Sequence, residues 1–308
     1  MSELIKYAES ILKEHGYFGD KSFEYIGVLL KNGIIYDRRL YLKNGAAVSQ
    51  IITTTEPYKT MVKKIMHRFI LREDVAICDI STIEIDEEPT YRMIFKLPKK
   101  QSIDELYELI GDFFYSYETH ESLSYRERII SNILNFNAKS ETKISPLMQI
   151  GIELNKNCEL VAVKYYLRLE KANKKDIVMV EQAKQFLCSV VKGDNIGACI
   201  SCASEKSIFI SDNGYRPIFI GINDKNGAET HKIYFISKAF GFQVQNILKD
   251  TKTLSDTFAW NDSLPFYEFE QLYKLSLFVE GIALSVQHLD EWHLYFNILP
   301  RNTQKNLI

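Results

Sequence analysis

The segment from Met148 to Glu170, MQIGIELNKNCELVAVKYYLRLE, constrains the fold more than any other part of the chain. It predicts a β-hairpin: MQIGIEL, a polar turn through Asn155, Lys156 and Asn157, then CELVAVKYYLRL. Successive side chains of a strand face opposite sides. Val163, Tyr165, Leu167 and Leu169 therefore share an apolar face, while Lys164, Tyr166 and Arg168 share a face of two cations and a phenol. The pattern returns in four more strands. Arg39 and Tyr41 alternate with Leu40 and Leu42, and Arg92, Ile94 and Lys96 alternate with Met93 and Phe95. Lys232 and Tyr234 alternate with Ile233 and Phe235, and His293, Tyr295 and Asn297 alternate with Leu294, Phe296 and Ile298.

Helical periodicity separates these hairpins. Leu4, Ile5, Ala8, Ile11 and Leu12 form a stripe over Ser2 to His15, and a second helix begins near Pro57. Ser102 and Glu105 form a capping box that opens a helix with the stripe Ile103, Leu106, Ile110, Phe113 and Phe114. Further helices are expected over Tyr125–Phe136 and Val178–Val191, near Gln243–Leu248 and from Pro265. Ala198–Ser237 reads as strand-rich, with turns at Asp212–Gly214 and Asp224–Gly227. No linker rich in Pro, Gly or Ser divides the chain, so residues 1–308 are expected to form one domain. The fold class is α+β: helix or helix pair, then hairpin, repeated five times. Closure into a ten-stranded antiparallel β-barrel with the helices outside would remove exposed edges.

Composition narrows the function. A net charge of -2 gives no global reason to expect nucleic acid or a membrane surface, so an anion site must come from local clustering. The N-terminus carries charges throughout and has no signal-peptide core, and no run of about 18 apolar residues exists. Five cysteines without framework spacing suit free thiols and a cytoplasmic setting. Cys199-x-x-Cys202 lacks a partner pair and reads as small-residue packing in a strand. The histidines show no metal-ligand spacing, and there is no P-loop, GxGxxG or DDxxD-type motif.

In a barrel sheathed by helices, the apolar faces pack outward and the cation–Tyr faces point into the lumen. Enclosed cations cost several kcal/mol each unless paired. A single such strand is more simply a half-buried strand with solvated Lys or Arg. Five in the same register suit a ring of Arg, Lys and Tyr around one polyanionic ligand. Phenols can hydrogen-bond phosphate oxygens, and their ring faces attract cations.

The R-x-Y, K-x-Y, K-x-Y and H-x-Y strands resemble those of the ABBA (PT-barrel) prenyltransferases, built from repeated ααββ units around a solvent-filled barrel. GIELNKNCELVAVKYYLRLEK resembles the peptide-modifying branch associated with cyanobactin-type ribosomal peptides. The resemblance implies transfer of an isoprenyl group from an allylic diphosphate, dimethylallyl diphosphate first, to an aromatic acceptor. Arg39, Arg92, Lys164, Arg168, Lys232 and His293 would hold the diphosphate. Tyr41, Tyr166, Tyr234 and Tyr295 would shield the allylic cation. Glu24 stands where the family places its catalytic base, with Glu153 and Asp79 as competitors, because Glu24 shares a strand face with the apolar Ile26 and Val28. Ile94 replaces a tyrosine and His293 replaces a lysine in the pattern.

The expected acceptor is the Tyr or Trp side chain of a ribosomal, macrocyclic peptide, with a small aromatic metabolite as the alternative. No cofactor is required, and Mg²⁺ is at most a non-essential counter-ion, because protein cations can neutralise the leaving group directly. A competing reading from another class is a non-catalytic barrel that binds a phosphorylated or lipid ligand.

Overall fold

The computed structural model describes residues 23–31, 34–42, 58–60, 76–85, 88–98, 101–114, 120–138, 145–169, 176–212, 214–238, 277–289 and 291–298. Ten strands form one sheet in five hairpins. They are β1 (Phe23–Lys31) with β2 (Ile34–Leu42), β3 (Ala76–Ile85) with β4 (Glu88–Lys96), and β5 (Leu147–Leu154) with β6 (Leu160–Arg168). Then follow β7 (Tyr215–Lys225) with β8 (Ala228–Ser237), and β9 (Leu277–Ser285) with β10 (Glu291–Ile298). The order is β2-β1-β10-β9-β8-β7-β6-β5-β4-β3, with antiparallel neighbours throughout. The sheet is curled: β2 and β3, the ends of that order, have Cα atoms within 8 Å of each other.

Local chemistry sets the hairpins. Asn226 and Gly227 both have positive φ, 53° and 90°, the pair that a two-residue type I′ turn demands. Asp224 accepts the Gly227 N–H at 2.7 Å and locks this turn. In the central hairpin, Asn155 Oδ1 accepts the N–H groups of Asn157 and Glu159 at 2.9 and 3.0 Å.

Four described helices pack on one face of the sheet: α1 (Ile103–Phe114), α2 (His120–Ala138), α3 (Asp176–Val190) and α4 (Ile196–Asp212). The expected capping box opens α1, with Ser102 N–H donating to Glu105 Oε2 at 2.7 Å and Glu105 N–H donating to Ser102 Oγ at 3.2 Å. Leu106, Leu109, Ile110, Phe113 and Phe114 of α1 join one core with Met93, Phe95, Val163, Tyr165, Leu167, Ile233, Phe235 and Leu294. The apolar residues of β4, β6 and β8, with Leu294 of β10, thus pack where the helices cover them.

The expected strands at the start of Ala198–Ser237 are corrected by α4, which carries Cys199 and Cys202 on a helix. The buried side of α4 is Ile200, Ala203, Ser204, Ser207, Ile210 and Ser211, a helical stripe made half of serines. The hydroxyls of Ser204 and Ser207 are satisfied within the helix, donating to the carbonyls of Ile200 and Ala203 at 2.8 and 2.6 Å. A hydrophobicity pattern does not register such a stripe. Cys158, Cys188, Cys199 and Cys202 are free thiols.

Residues 58–60 are helical, in keeping with a helix from Pro57. The helices expected at 2–15, 243–248 and from 265 lie outside the described residues. No described helix is long and apolar enough to cross a membrane.

A buried polar layer fastens α2 to the turn end of β6, β7 and β8. Arg128 Nε donates to Asp224 Oδ2, and Asn132 Nδ2 donates to Tyr165 Oη at 2.6 Å and Glu229 Oε1 at 2.9 Å. Burial, then the nearby charge of Asp224, raises the Glu229 carboxyl above its usual range. Burial, then the charge of Glu229, raises the Tyr165 phenol well above its own.

Candidate active site

The other face of the sheet carries the chemistry. Ile94, Tyr166, Tyr234 and Ala283 form a second buried cluster, with Ile218, Phe219 and Tyr295 packed against it. The cluster is separate from the core beneath the helices because each residue alternates with a residue of that core. Tyr166 sits between Tyr165 and Leu167, and Tyr234 between Ile233 and Phe235. The rings form a continuous aromatic wall. Tyr166 and Tyr234 centroids are 5.2 Å apart, Tyr234 and Tyr295 are 6.1 Å apart, and Phe219 meets Tyr166 edge-on at 6.2 Å.

Cations stand beside this wall. Lys164 Nζ lies 5.9 Å from the Tyr166 ring centroid. Lys232 Nζ is paired with Glu291 Oε1 and lies 3.3 Å from His293 Nε2. His293 Nδ1 is 3.4 Å from Tyr295 Oη. Arg92 Nη1 is 3.8 Å from Glu153 Oε1. Lys164, Arg92 and His293 are all buried. Enclosing a cation costs electrostatic free energy, which Glu153 offsets for Arg92 and Glu291 for Lys232.

Glycines make room for the rings. Lys232 and Tyr166 both pair with Gly221, Lys164 pairs with Gly151, and Tyr295 pairs with Gly281 on one side and Gly27 on the other. A Cβ on Gly221 would stand 2.5 Å from Tyr234 Cε2 and 3.2 Å from Tyr166 Cε1. The two rings therefore lie across bare backbone. A sequence signal for this existed: the first strands of four hairpins contain Ile26-Gly27-Val28, Ile150-Gly151-Ile152, Ile220-Gly221-Ile222 and Glu280-Gly281-Ile282.

Arg92, Lys164, Tyr166, Lys232, Tyr234, His293 and Tyr295 thus share one face of the sheet. Arg168 ends β6, half-buried, two residues beyond Tyr166, and makes no ion pair among the described residues. The pairing of β1, β2 and β3 places Arg39, Tyr41, Glu24 and Asp79 along the sheet. Arg39 pairs with Gly27, itself the partner of Tyr295, and Tyr41 pairs with Tyr25. Glu24 falls at a register irregularity between Phe23 and Tyr25. Asp79 pairs with Ile94. Sequence reasoning missed Phe219, Asn223 and Glu291. Asn223 pairs with Lys164, and its buried Oδ1 has no hydrogen-bond partner among the described residues. Among the described residues no cluster of three or more His, Cys, Asp or Glu side chains is arranged to hold a metal ion.

No protein-family model matches the chain, and no curated protein matches it. Solved structures do. The crystal structure of AnaPT from Neosartorya fischeri superposes with a TM-score of 0.61 at 9% identity, covering 97% of this chain and 88% of AnaPT. That of NotF prenyltransferase superposes with a TM-score of 0.55 at 8% identity, covering 96% of this chain and 88% of NotF. At such identity the likeness speaks for the fold: a curled antiparallel sheet of the PT-barrel type.

Proposed function

We propose that the chain is a single-domain prenyltransferase that moves an isoprenyl group from an allylic diphosphate, dimethylallyl diphosphate first, to an aromatic side chain of a peptide. The carrying observation is the convergence of Lys164, Lys232 and His293 with the packed rings of Tyr166, Tyr234 and Tyr295 on the face opposite the helices. In this reading the sheet closes into a ten-stranded barrel, the helices ring its outside, and that face lines the lumen.

Arg39, Arg92, Lys164, Arg168, Lys232 and His293 hold the diphosphate. As the allylic C–O bond breaks, the charge of the arginines and lysines stabilises the departing diphosphate, an effect commonly worth several kcal/mol where the donors are preorganised. The allylic cation forms against Tyr41, Tyr166, Tyr234 and Tyr295, whose ring faces attract it by roughly 0.5–2 kcal/mol each and exclude water. The acceptor's phenol oxygen or ring carbon attacks, and its proton passes to Glu24. Simple alternation groups Glu24 with Ile26 and Val28, but a bulge re-aims side chains, and the register irregularity falls at Glu24. Glu153, engaged by Arg92, and Asp79 are the competing bases. Protein cations supply the neutralising charge, so the chemistry proceeds without a metal.

The cyanobactin-type peptide branch rests on the central hairpin sequence. A small aromatic metabolite is the alternative acceptor, and a barrel that binds a phosphorylated or lipid ligand without turnover is the reading from another class. Incubation with allylic diphosphates and Tyr- or Trp-containing cyclic peptides, in EDTA, followed by mass spectrometry separates them. A +68 Da adduct on a peptide is the expected result of dimethylallyl transfer. Diphosphate binding without any adduct, on peptides or small aromatics, overturns the enzyme reading.

A further inference from the structure

Glu291 has no part in the mechanism above, yet it holds one of its cations. It opens β10 and falls on the alternation Glu291, His293, Tyr295, so it belongs to the cation face. Its Oε1 is paired with Lys232 Nζ. The side chains of Lys232 and Glu291 are 13% and 18% exposed, while His293, beyond them along the face, is 4% exposed. The ion pair is thus less enclosed than His293.

We propose that Glu291 is a resident carboxylate that occupies Lys232 while the donor site is empty and competes with diphosphate for it. The proposal rests on the donor-site reading of this face and names a regulation of that site. In the empty state the carboxylate offsets the cost of enclosing Lys232. When a diphosphate binds, Lys232 turns part of its three-donor capacity to phosphate oxygens, and Glu291 becomes a like charge beside a polyanion. That repulsion weakens the donor and the inorganic diphosphate product alike. The product carries more charge than the donor, because the ester bond has become a free phosphate oxygen. Glu291 therefore favours release of the product over release of the donor. Lys232 is thereby kept charged and placed between turnovers without becoming a trap for product.

The test uses inorganic diphosphate as probe and needs no acceptor. Binding is measured by calorimetry for the full chain, for Glu291→Gln, for Glu291→Asp and for the double variant Glu291→Gln with Lys232→Met. Glu291→Gln keeps the shape and removes the charge, so it should bind inorganic diphosphate about tenfold more tightly, and the gain should shrink as salt is added. Glu291→Asp should stay close to the unaltered chain. Glu291→Gln on a Lys232→Met background should gain much less than tenfold, because the contested cation is gone. A disrupted fold lowers affinity, so tighter binding is not a by-product of damage. Equal or weaker binding by Glu291→Gln, with the unaltered chain still binding diphosphate, overturns the role of Glu291 alone. Failure of the unaltered chain to bind inorganic diphosphate overturns the donor-site reading, and this proposal with it.

Discussion

Lys232 Nζ lies 3.3 Å from Nε2 of His293. An ammonium only donates hydrogen bonds, so Nε2 accepts, and the ring proton of a neutral His293 resides on Nδ1, facing Tyr295 Oη at 3.4 Å. Lys232 thereby sets the tautomer of its neighbour and, through it, the direction in which the Tyr295 hydroxyl can donate. Lys232→Met removes both the charge and that ordering. Its kcat/KM for the allylic diphosphate should fall by about 100-fold, the scale of losing one preorganised donor to a developing anion. Lys232→Arg keeps the charge and should recover part of the loss. Steady-state kinetics with varied donor checks both.

The packed rings of Tyr234, Tyr166 and Tyr295 predict how the reaction leaks. Tyr234 meets Tyr166 at 5.2 Å and Tyr295 at 6.1 Å, so it is the centre of the wall. Tyr234→Phe keeps the ring face and should change the ratio of prenylated product to prenyl alcohol by less than about threefold. Tyr234→Ala opens the wall to water and should shift that ratio toward the alcohol by about tenfold or more. Chromatography of the two products at one donor concentration measures the partition directly.

Gly221 is the backbone over which two of those rings lie. The added methyl of Gly221→Ala would need the space of Tyr234 Cε2, 2.5 Å away, and Tyr166 Cε1, 3.2 Å away. Overpacking of this kind typically costs about 1–3 kcal/mol. The variant should show a lowered melting temperature in thermal denaturation and a reduced kcat. The melting temperature of Gly214→Ala serves as a contrast, since a Cβ there meets open space and the cost comes from positive φ alone.

Much of this fold could be read from the chain because alternation in a strand is a binary signal. Val163, Tyr165 and Leu167 went to the helix-covered core and Lys164 and Tyr166 to the opposite face, as period two requires. The capping box of α1 was equally plain, since Ser102 and Glu105 satisfy one another's backbone N–H groups. α4 was not legible, because Ser204 and Ser207 bury polar side chains that the helix's own carbonyls satisfy. Nor was Glu291, whose meaning depends on which strand lies two places away. Lys232 of β8 reaches it across β9, a neighbour relation that sequence order does not supply. The glycines were visible but unread. A glycine in a strand shows its purpose only when the ring that lies over it comes from another strand.

His231 makes the acid limb of stability predictable. It is on the helix-covered side of β8, 1% exposed, with Nδ1 2.8 Å from Gln287 Nε2 and Nε2 3.6 Å from Glu229 Oε2. Burial lowers its pKa from the usual 6.5 to about 4. Between those values the unfolded chain takes up a proton at this ring and the folded chain does not. The unfolded state therefore binds more protons in that window, and stability falls as the pH drops from about 6.5 toward about 4. A shift of this size corresponds to roughly 3 kcal/mol lost across the window. Glu229 acts in the opposite sense. Its raised pKa means that the folded state holds a proton the unfolded state has released, so its contribution weakens as the pH rises above the ordinary carboxylate range. His231→Gln removes the titrating ring, and its denaturant-derived stability should decline less between pH 6.5 and pH 4 than that of the unaltered chain. Glu229→Gln can still accept from Asn132 and Tyr165 while shedding the buried charge. It should therefore be as stable as the unaltered chain or more stable at pH 7, with the difference vanishing below the carboxylate range. Urea titrations of the three proteins from pH 7 down to below the carboxylate range decide both, and a parallel acid limb for His231→Gln would rule His231 out as its source.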